Sequence, residues 1–227
     1  MIILTGASGG IGREILPMLS KLDNVIALYH SNPPDITHNP RITNYKLNLT
    51  SEQDVKDFGT LVKKDFKNIT LIHAATKNKS DLVAQCHTSD WDEIMDVNLR
   101  GTFFLNRELL IPMISEKWGR IIHFSSITSL RGMPGTLAYS TAKNGLIGMS
   151  RVIAREHARF GITSNVLALG YFNTGIVDTL SEKVRKKIID ELPSKKLGDP
   201  SNIFNAIEFL IKSEYTNGSV LNIDGAL

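Results

Sequence analysis

Short apolar runs and stretches of helical periodicity alternate along this chain, and that alternation leaves few folds open. Apolar runs at 2–4, 25–29, 43–49, 69–74, 121–126, 162–168 and 219–223 are bounded by glycine, proline or small polar residues. Their lengths and boundaries read as strands. The first, Ile2-Ile3-Leu4, is apolar at consecutive positions, the pattern of a strand covered on both faces. Helical patterns such as Ile11, Ile15, Leu19 and Leu22 lie between the runs. A parallel pairing needs a crossover element, so this order predicts a parallel sheet with helices on both faces. The expectation is an α/β, doubly wound sheet of about seven strands, with residues 1–227 forming one domain. Ligands of such sheets bind at the carboxyl ends of the strands.

Composition supports that size of core. The chain has 227 residues, of which 42% are apolar and 22% charged, the balance of a water-soluble globule. A net charge of +3, spread along the chain, is too weak for a nucleic-acid footprint. The lone Cys86 excludes an internal disulfide and suits a reducing compartment, so a cytoplasmic location is expected. No signal-peptide pattern precedes the first strand, and no run is long and apolar enough to span a bilayer. The histidines lack ligand spacing, so no metal site is expected.

The helices carry recognisable starts. Thr50-Ser51-Glu52-Gln53 resembles a capping box opening a helix to about Phe66. Ser89-Asp90-Trp91-Asp92 caps a long helix reaching about Ile114, whose apolar face includes Trp91, Ile94, Val97, Gly101, Phe104 and Leu105. Asn98 lies beside that face, where periodicity alone favours a core amide satisfied by a neighbour. A charged helix covers 178–192, and Asp199-Pro200 opens another.

Chemistry-bearing residues cluster at the expected strand ends. After the first strand comes TGASGGIG, with Gly6, Ser8, Gly9, Gly10, Ile11 and Gly12, leading into a helix. This arrangement sets backbone N–H groups and a helix N-terminus against phosphate. Strand two ends in His30-Ser31-Asn32, where a dinucleotide scheme expects an acid for the ribose of NAD; none occurs before Asp35. His30 and Ser31, with Arg13 nearby, point to a 2′-phosphate and so to NADP, although His30 could also cap a solvated loop. Strand four ends in the small residues Ala74 and Ala75, where a cofactor could lie against backbone.

The stretch from Arg120 to Gly148 reads strand, loop, helix. The strand ends at Ser126, a loop with Gly132, Pro134 and Gly135 follows, and a helix then carries Tyr139 and Lys143. Residues i and i+4 share a helix face. An ammonium about 4 Å from a phenol is worth roughly 4 kcal/mol at an effective dielectric of 20. At about 1.4 kcal/mol per unit, that would carry the phenol from near 10 toward neutrality. The expectation is a tunable proton donor and acceptor, with Ser126 bonding the oxygen whose proton Tyr139 handles.

Together these residues resemble the short-chain dehydrogenase/reductase family over nearly the whole chain. The matching pieces are Thr5-Gly6-x-x-x-Gly10-x-Gly12, Asn98 in VNLRG, Ser126, and Tyr139-x-x-x-Lys143. The run YSTAKNGLIGMSRVIAREHARFGITSNV and the ending VLNIDGAL look most like β-ketoacyl-acyl-carrier-protein reductases. The resemblance implies a Rossmann-type fold and reduction of a ketone, most simply a 3-oxoacyl thioester, with NADP(H) preferred over NAD(H). It implies that Tyr139 is the general acid and that Lys143 lowers its pKa and holds the nicotinamide ribose. It further implies that Ser126 bonds the substrate oxygen and that Asn98 positions a relay water. Asn48 and Leu49 would flank the adenine, and Thr174, with Gly170 and Phe172 in the same loop, would sit by the carboxamide. A small lid at about 175–197 is implied, its lysines facing a phosphopantetheine or an acidic carrier, or simply water. Helices 89–114 and 137–160 would build a homodimer or homotetramer. The chain departs from the family at His73-Ala74-Ala75-Thr76, where Asn-Asn-Ala-Gly is usual, at Leu169-Gly170 in place of Pro-Gly, and at Phe160 in place of a docking arginine. The same residues leave open another small ketone or alcohol as substrate, or a non-catalytic dinucleotide-binding protein.

Overall fold

The computed structural model describes residues 1–37, 39–65, 67–175, 177 and 180–227. Seven parallel strands form one sheet: β1 (Ile2–Thr5), β2 (Val25–Tyr29), β3 (Ile42–Lys46), β4 (Thr70–His73), β5 (Gly119–Ser126), β6 (Ile162–Leu169) and β7 (Val220–Ile223). Their order is β3-β2-β1-β4-β5-β6-β7. The chain winds outward from β1 in both directions, and the crevice beyond β1 and β4 is the switch point where α/β sheets bind ligands.

Consecutive apolar positions in the central strands supply two cores. Ile2 and Leu4 of β1, with Ile122 and Phe124 of β5, pack beneath helices α1 (Gly10–Leu19) and α8 (Pro200–Lys212). Ile3 and Ile121, one residue out of phase, face α2 (Glu52–Asp65), α4 (Gly101–Glu116) and α6 (Leu137–His157). Side chains alternate across a strand, so a central strand needs apolar residues at every position. Edge strand β3 is buried only at Ile42, which is why its sequence is more polar.

Several helix starts follow the sequence. Asp199 caps α8 by accepting from the Ser201 N–H at 2.8 Å, with Pro200 in the first turn. At α2 the cap is Ser51, whose Oγ accepts from the Asp54 N–H, so the box is closed by Asp54 and not by Gln53. The expected end of that helix at Phe66 lies outside the described residues.

Two expectations need correction. The single helix expected over 89–114 is three pieces: α3 (Thr88–Met95), a π-helical turn Asp96–Arg100, and α4. A π turn carries one more residue per turn, so the apolar face is read out of phase across it. The loop expected after Ser126 begins with a short helix, α5 (Ile127–Arg131), which Ser126 caps. A further helix, α7 (Glu182–Glu191), occupies the charged segment after β6.

Candidate active site

The carboxyl ends of the strands surround a cleft of about 1210 Å³. Of the residues expected to bind or react, Asn98 and Arg13 do not line it; Asp96 and Val97, in the same turn as Asn98, do.

One end of the cleft is built by the turn after β1. Gly6 has φ +65°, and a Cβ there would meet the Ala75 backbone at 2.6 Å. Thr5 Oγ1 accepts from the N–H groups of Ala74 at 3.1 Å and Ala75 at 3.0 Å, tying β1 to the loop after β4. Helix α1 begins with Gly9 extended, no side-chain cap and no acid in its first turn. The first N–H groups of a helix lack internal partners and carry the positive end of its dipole. Left bare and facing a cleft, they fit a pyrophosphate. A Cβ on Gly10 would meet Gly175 Cα at 2.2 Å, so the segment after β6 passes directly over this helix end.

Tyr29, His30, Ser31 and Asn32 line the cleft beyond β2, with His30 Nδ1 2.9 Å from Ser31 Oγ. Arg13, expected nearby, is exposed and is not part of the lining. Asn48 and Leu49 line the same side. Gly170, Phe172 and Thr174 close the other.

The second end holds Ser126, Tyr139 and Lys143. Strand β5 delivers Ser126, and α6 presents Tyr139 and Lys143 one turn apart. Ser126 Oγ accepts from the Thr128 N–H at 3.3 Å and the Thr128 hydroxyl at 3.0 Å. Its own proton therefore remains available to an oxygen in the cleft. Buried Lys143 donates to Phe124 O at 2.8 Å, and its Nζ lies 5.6 Å from the Tyr139 ring centre.

The electrostatics differ from the sequence expectation. Burial pushes the Tyr139 phenol above its ordinary value, partly offset by the neighbouring Ser126 and Thr76 side chains. Burial pulls Lys143 down to about 8. The ammonium points at a backbone carbonyl, and desolvation of both groups outweighs the attraction expected at helical spacing.

Asn98 is buried in the π turn. Its Oδ1 accepts from the Lys77 N–H at 2.7 Å and its Nδ2 donates to Lys77 O at 2.8 Å. The amide thus pins the loop after β4, with Lys77 and Glu93 paired above it.

Sequence reasoning missed Thr76, a neighbour of Tyr139, and Thr128, which hydrogen-bonds Ser126. Thr128 meets Ser126 only because α5, which the sequence reading took for a loop, begins there; Thr76 is visible only as the departure from the family's glycine. It also missed the histidines beneath the site. His73 and His123 are paired in register on β4 and β5, fully buried, and stacked at 4.9 Å with 4° between planes.

Comparisons with known proteins agree with this geometry. The short chain dehydrogenase family model matches residues 1–185. The chain belongs to the short-chain dehydrogenase family. It is 33% identical to the 3-oxoacyl-[acyl-carrier-protein] reductase FabG of Rickettsia conorii, covering 99% of this chain and 95% of that protein. It is 30% identical to nodulation protein G of a Rhizobium species, again over 99% and 95%. A solved Agrobacterium tumefaciens structure, provisionally assigned as a gluconate dehydrogenase, superposes with a TM-score of 0.89 at 23% identity, over 99% and 94% of the two chains. That last likeness bears on the fold alone. As a member of this family the protein is an oxidoreductase that uses a nicotinamide dinucleotide. Among the described residues no helix is long and apolar enough to cross a membrane, and no cluster of acids, histidines or cysteine could hold a metal ion.

Proposed function

We propose that this short-chain dehydrogenase is an NADP-dependent reductase of 3-oxoacyl thioesters, carried on coenzyme A or on an acyl carrier protein. One observation carries the reading: Ser126, Tyr139 and Lys143 converge at one end of a cleft whose other end is the bare N-terminus of α1. Full-length identity to reductases of that name supports the substrate class.

Gly6, Ser8, Gly9, Gly10, Ile11 and Gly12 hold the pyrophosphate, Asn48 and Leu49 the adenine, and Ala74 and Ala75 the floor beneath the dinucleotide. His30 and Ser31 meet the 2′-phosphate. Gly170, Phe172 and Thr174 face the carboxamide. When bound, the nicotinamide supplies a hydride to the substrate carbonyl carbon. Tyr139 gives its proton to the carbonyl oxygen. A phenol raised above its ordinary value is fully protonated at neutral pH, which suits the reducing direction. Ser126 donates to the same oxygen as charge develops there. Lys143, still mostly cationic at pH 7, holds the ribose hydroxyls. Asn98 positions the loop that carries Thr76 against Tyr139; a relay water would share its Oδ1 with the Lys77 N–H.

Helix α7 acts as the lid expected at 175–197, of which 176, 178 and 179 lie outside the described residues, with Val184 and Ile188 facing the cleft and Lys183, Lys186 and Lys187 facing an acidic carrier. Exposed Phe103 and Ile111 on α4 and Val152 on α6 suit a dimer or tetramer. A cytoplasmic setting fits such a substrate. The test is titration with NADPH and NADH, then nucleotide oxidation against acetoacetyl-CoA. Tight NADPH binding with turnover supports the reading; binding without turnover moves the substrate elsewhere; binding of neither nucleotide overturns it.

A further inference from the structure

A second cavity, of about 420 Å³, adjoins the reactive end of the cleft. One wall is Leu82 and Val83, where the turn Val83–Gln85 begins; the other runs from Gly132 into the first turns of α6. The walls are fastened together, since the Asp81 N–H donates to Gly135 O at 3.0 Å and Asp81 bridges Thr136 in parallel register. Lys79 and Asp90, 2.5 Å apart, hold the outer wall to α3.

The lining contains no charged residue among the described residues. Its polar groups are largely spoken for. Thr136 and Ser140 hydroxyls pair at 2.8 Å, Ser129 donates to Ser126 O at 2.6 Å, and Asn144 donates to Ser129 O at 2.6 Å. What this space offers an occupant is therefore apolar contact. Leu82 is 56% exposed, Val83 70% and Met133 40%, an unusual run of large apolar side chains beside a catalytic cleft.

The two cavities share a wall. Met133, Pro134 and Thr136 line both, and Ser140, next in sequence to Tyr139, lines the smaller one. The smaller cavity thus lies directly beside the space in which Ser126 and Tyr139 would hold a carbonyl, across Met133. The coenzyme end of a thioester is polar and charged, so the group that belongs there is the other end of the substrate. We propose that the side cavity receives the alkyl tail of the substrate, and that the enzyme favours ketones with an unbranched chain of medium length over short ones. This inference rests on the reductase reading above.

The test compares kcat/KM for acetoacetyl-CoA and 3-oxooctanoyl-CoA in the wild type, Leu82→Asp and Val83→Trp, with oligomeric state followed by light scattering. Both residues are exposed and touch none of the reacting groups, so the variants keep the fold. The proposal expects a preference of about tenfold or more for the longer chain, because added methylenes are discriminated strongly in an apolar pocket. Leu82→Asp, and Val83→Trp by filling the space, abolish that preference and leave acetoacetyl-CoA turnover unchanged. Equal use of both lengths by the wild type overturns the tail site alone. So does a parallel loss on both substrates, or dissociation of an oligomer in the variants. Turnover of neither thioester withdraws the reductase reading and the tail site with it.

Discussion

Replacing His73 tests whether the histidine pair beneath the site sets the acid limit of the fold. Asn106 spends its Nδ2 on Met149 Sδ at 3.2 Å, so its Oδ1 accepts from His73 Nε2 at 2.8 Å. The ring therefore carries its proton on Nε2, and among the described residues its buried Nδ1 has no partner. His123 bonds Ser164 Oγ through Nε2 and, among the described residues, also leaves Nδ1 unpartnered. Burial, with Lys143 nearby, drops His73 from 6.5 to about 4 and His123 well below its ordinary value. In the unfolded chain each ring binds a proton near pH 6.5, but in the fold it does not. The unfolded state thus holds more protons between pH 6.5 and 4, and stability falls as pH drops through that window. For His73 alone the loss from pH 7 to pH 5 is about 2 kcal/mol, rising to about 3 kcal/mol by pH 4. The assay is urea unfolding of wild type and His73→Asn at several pH values from 7.5 to 4.5. Asparagine keeps a donor toward Asn106 and cannot titrate. The wild type should lose about 2 kcal/mol relative to the variant between pH 7 and 5, whatever the variant costs at pH 7. Parallel curves for the two proteins would refute the argument, by showing that the buried ring is charged or solvated in the fold.

Other consequences follow from the same burial. Lys143→Met should stabilise the protein by up to about 3 kcal/mol at pH 7, since the fold pulls the ammonium to about 8, and should abolish turnover; thermal melts and activity read the two effects separately. With Lys143 at about 8, kcat/KM should decline as pH rises through that value, as the cation that holds the ribose is lost. Gly6→Ala should cost about 2–4 kcal/mol, combining positive φ with a collision against the Ala75 backbone; chemical denaturation measures it, and nucleotide affinity should fall with it. Thr76→Ala should lower kcat several-fold and leave nucleotide affinity unchanged, because it removes a polar neighbour of the Tyr139 hydroxyl.

The sheet was readable because its information is local. Each central strand carries consecutive apolar residues, and the carboxyl ends carry the glycines, hydroxyls or small side chains that a ligand requires. The cleft residues were readable for the same reason, being strand ends or one helical turn apart. What escaped depends on how separate segments meet. The π turn at Asp96–Arg100 leaves no residue signature, only a phase slip that a strict helical period hides. The direction of the Tyr139 shift was misread because spacing gives the distance between two groups but not their burial, nor the Phe124 carbonyl that takes the ammonium. The His73–His123 stack joins residues 50 positions apart and exists only through the β4–β5 register.

The central claim is that Tyr139 is the proton donor in a reductase whose cofactor site is otherwise complete without it. Steady-state NADPH oxidation with acetoacetyl-CoA, beside calorimetric NADPH binding, should be measured for the wild type and Tyr139→Phe. The account predicts that the variant binds NADPH within about twofold of the wild type, while its kcat falls about a hundredfold to ten-thousandfold. Comparable turnover in the two proteins would contradict it.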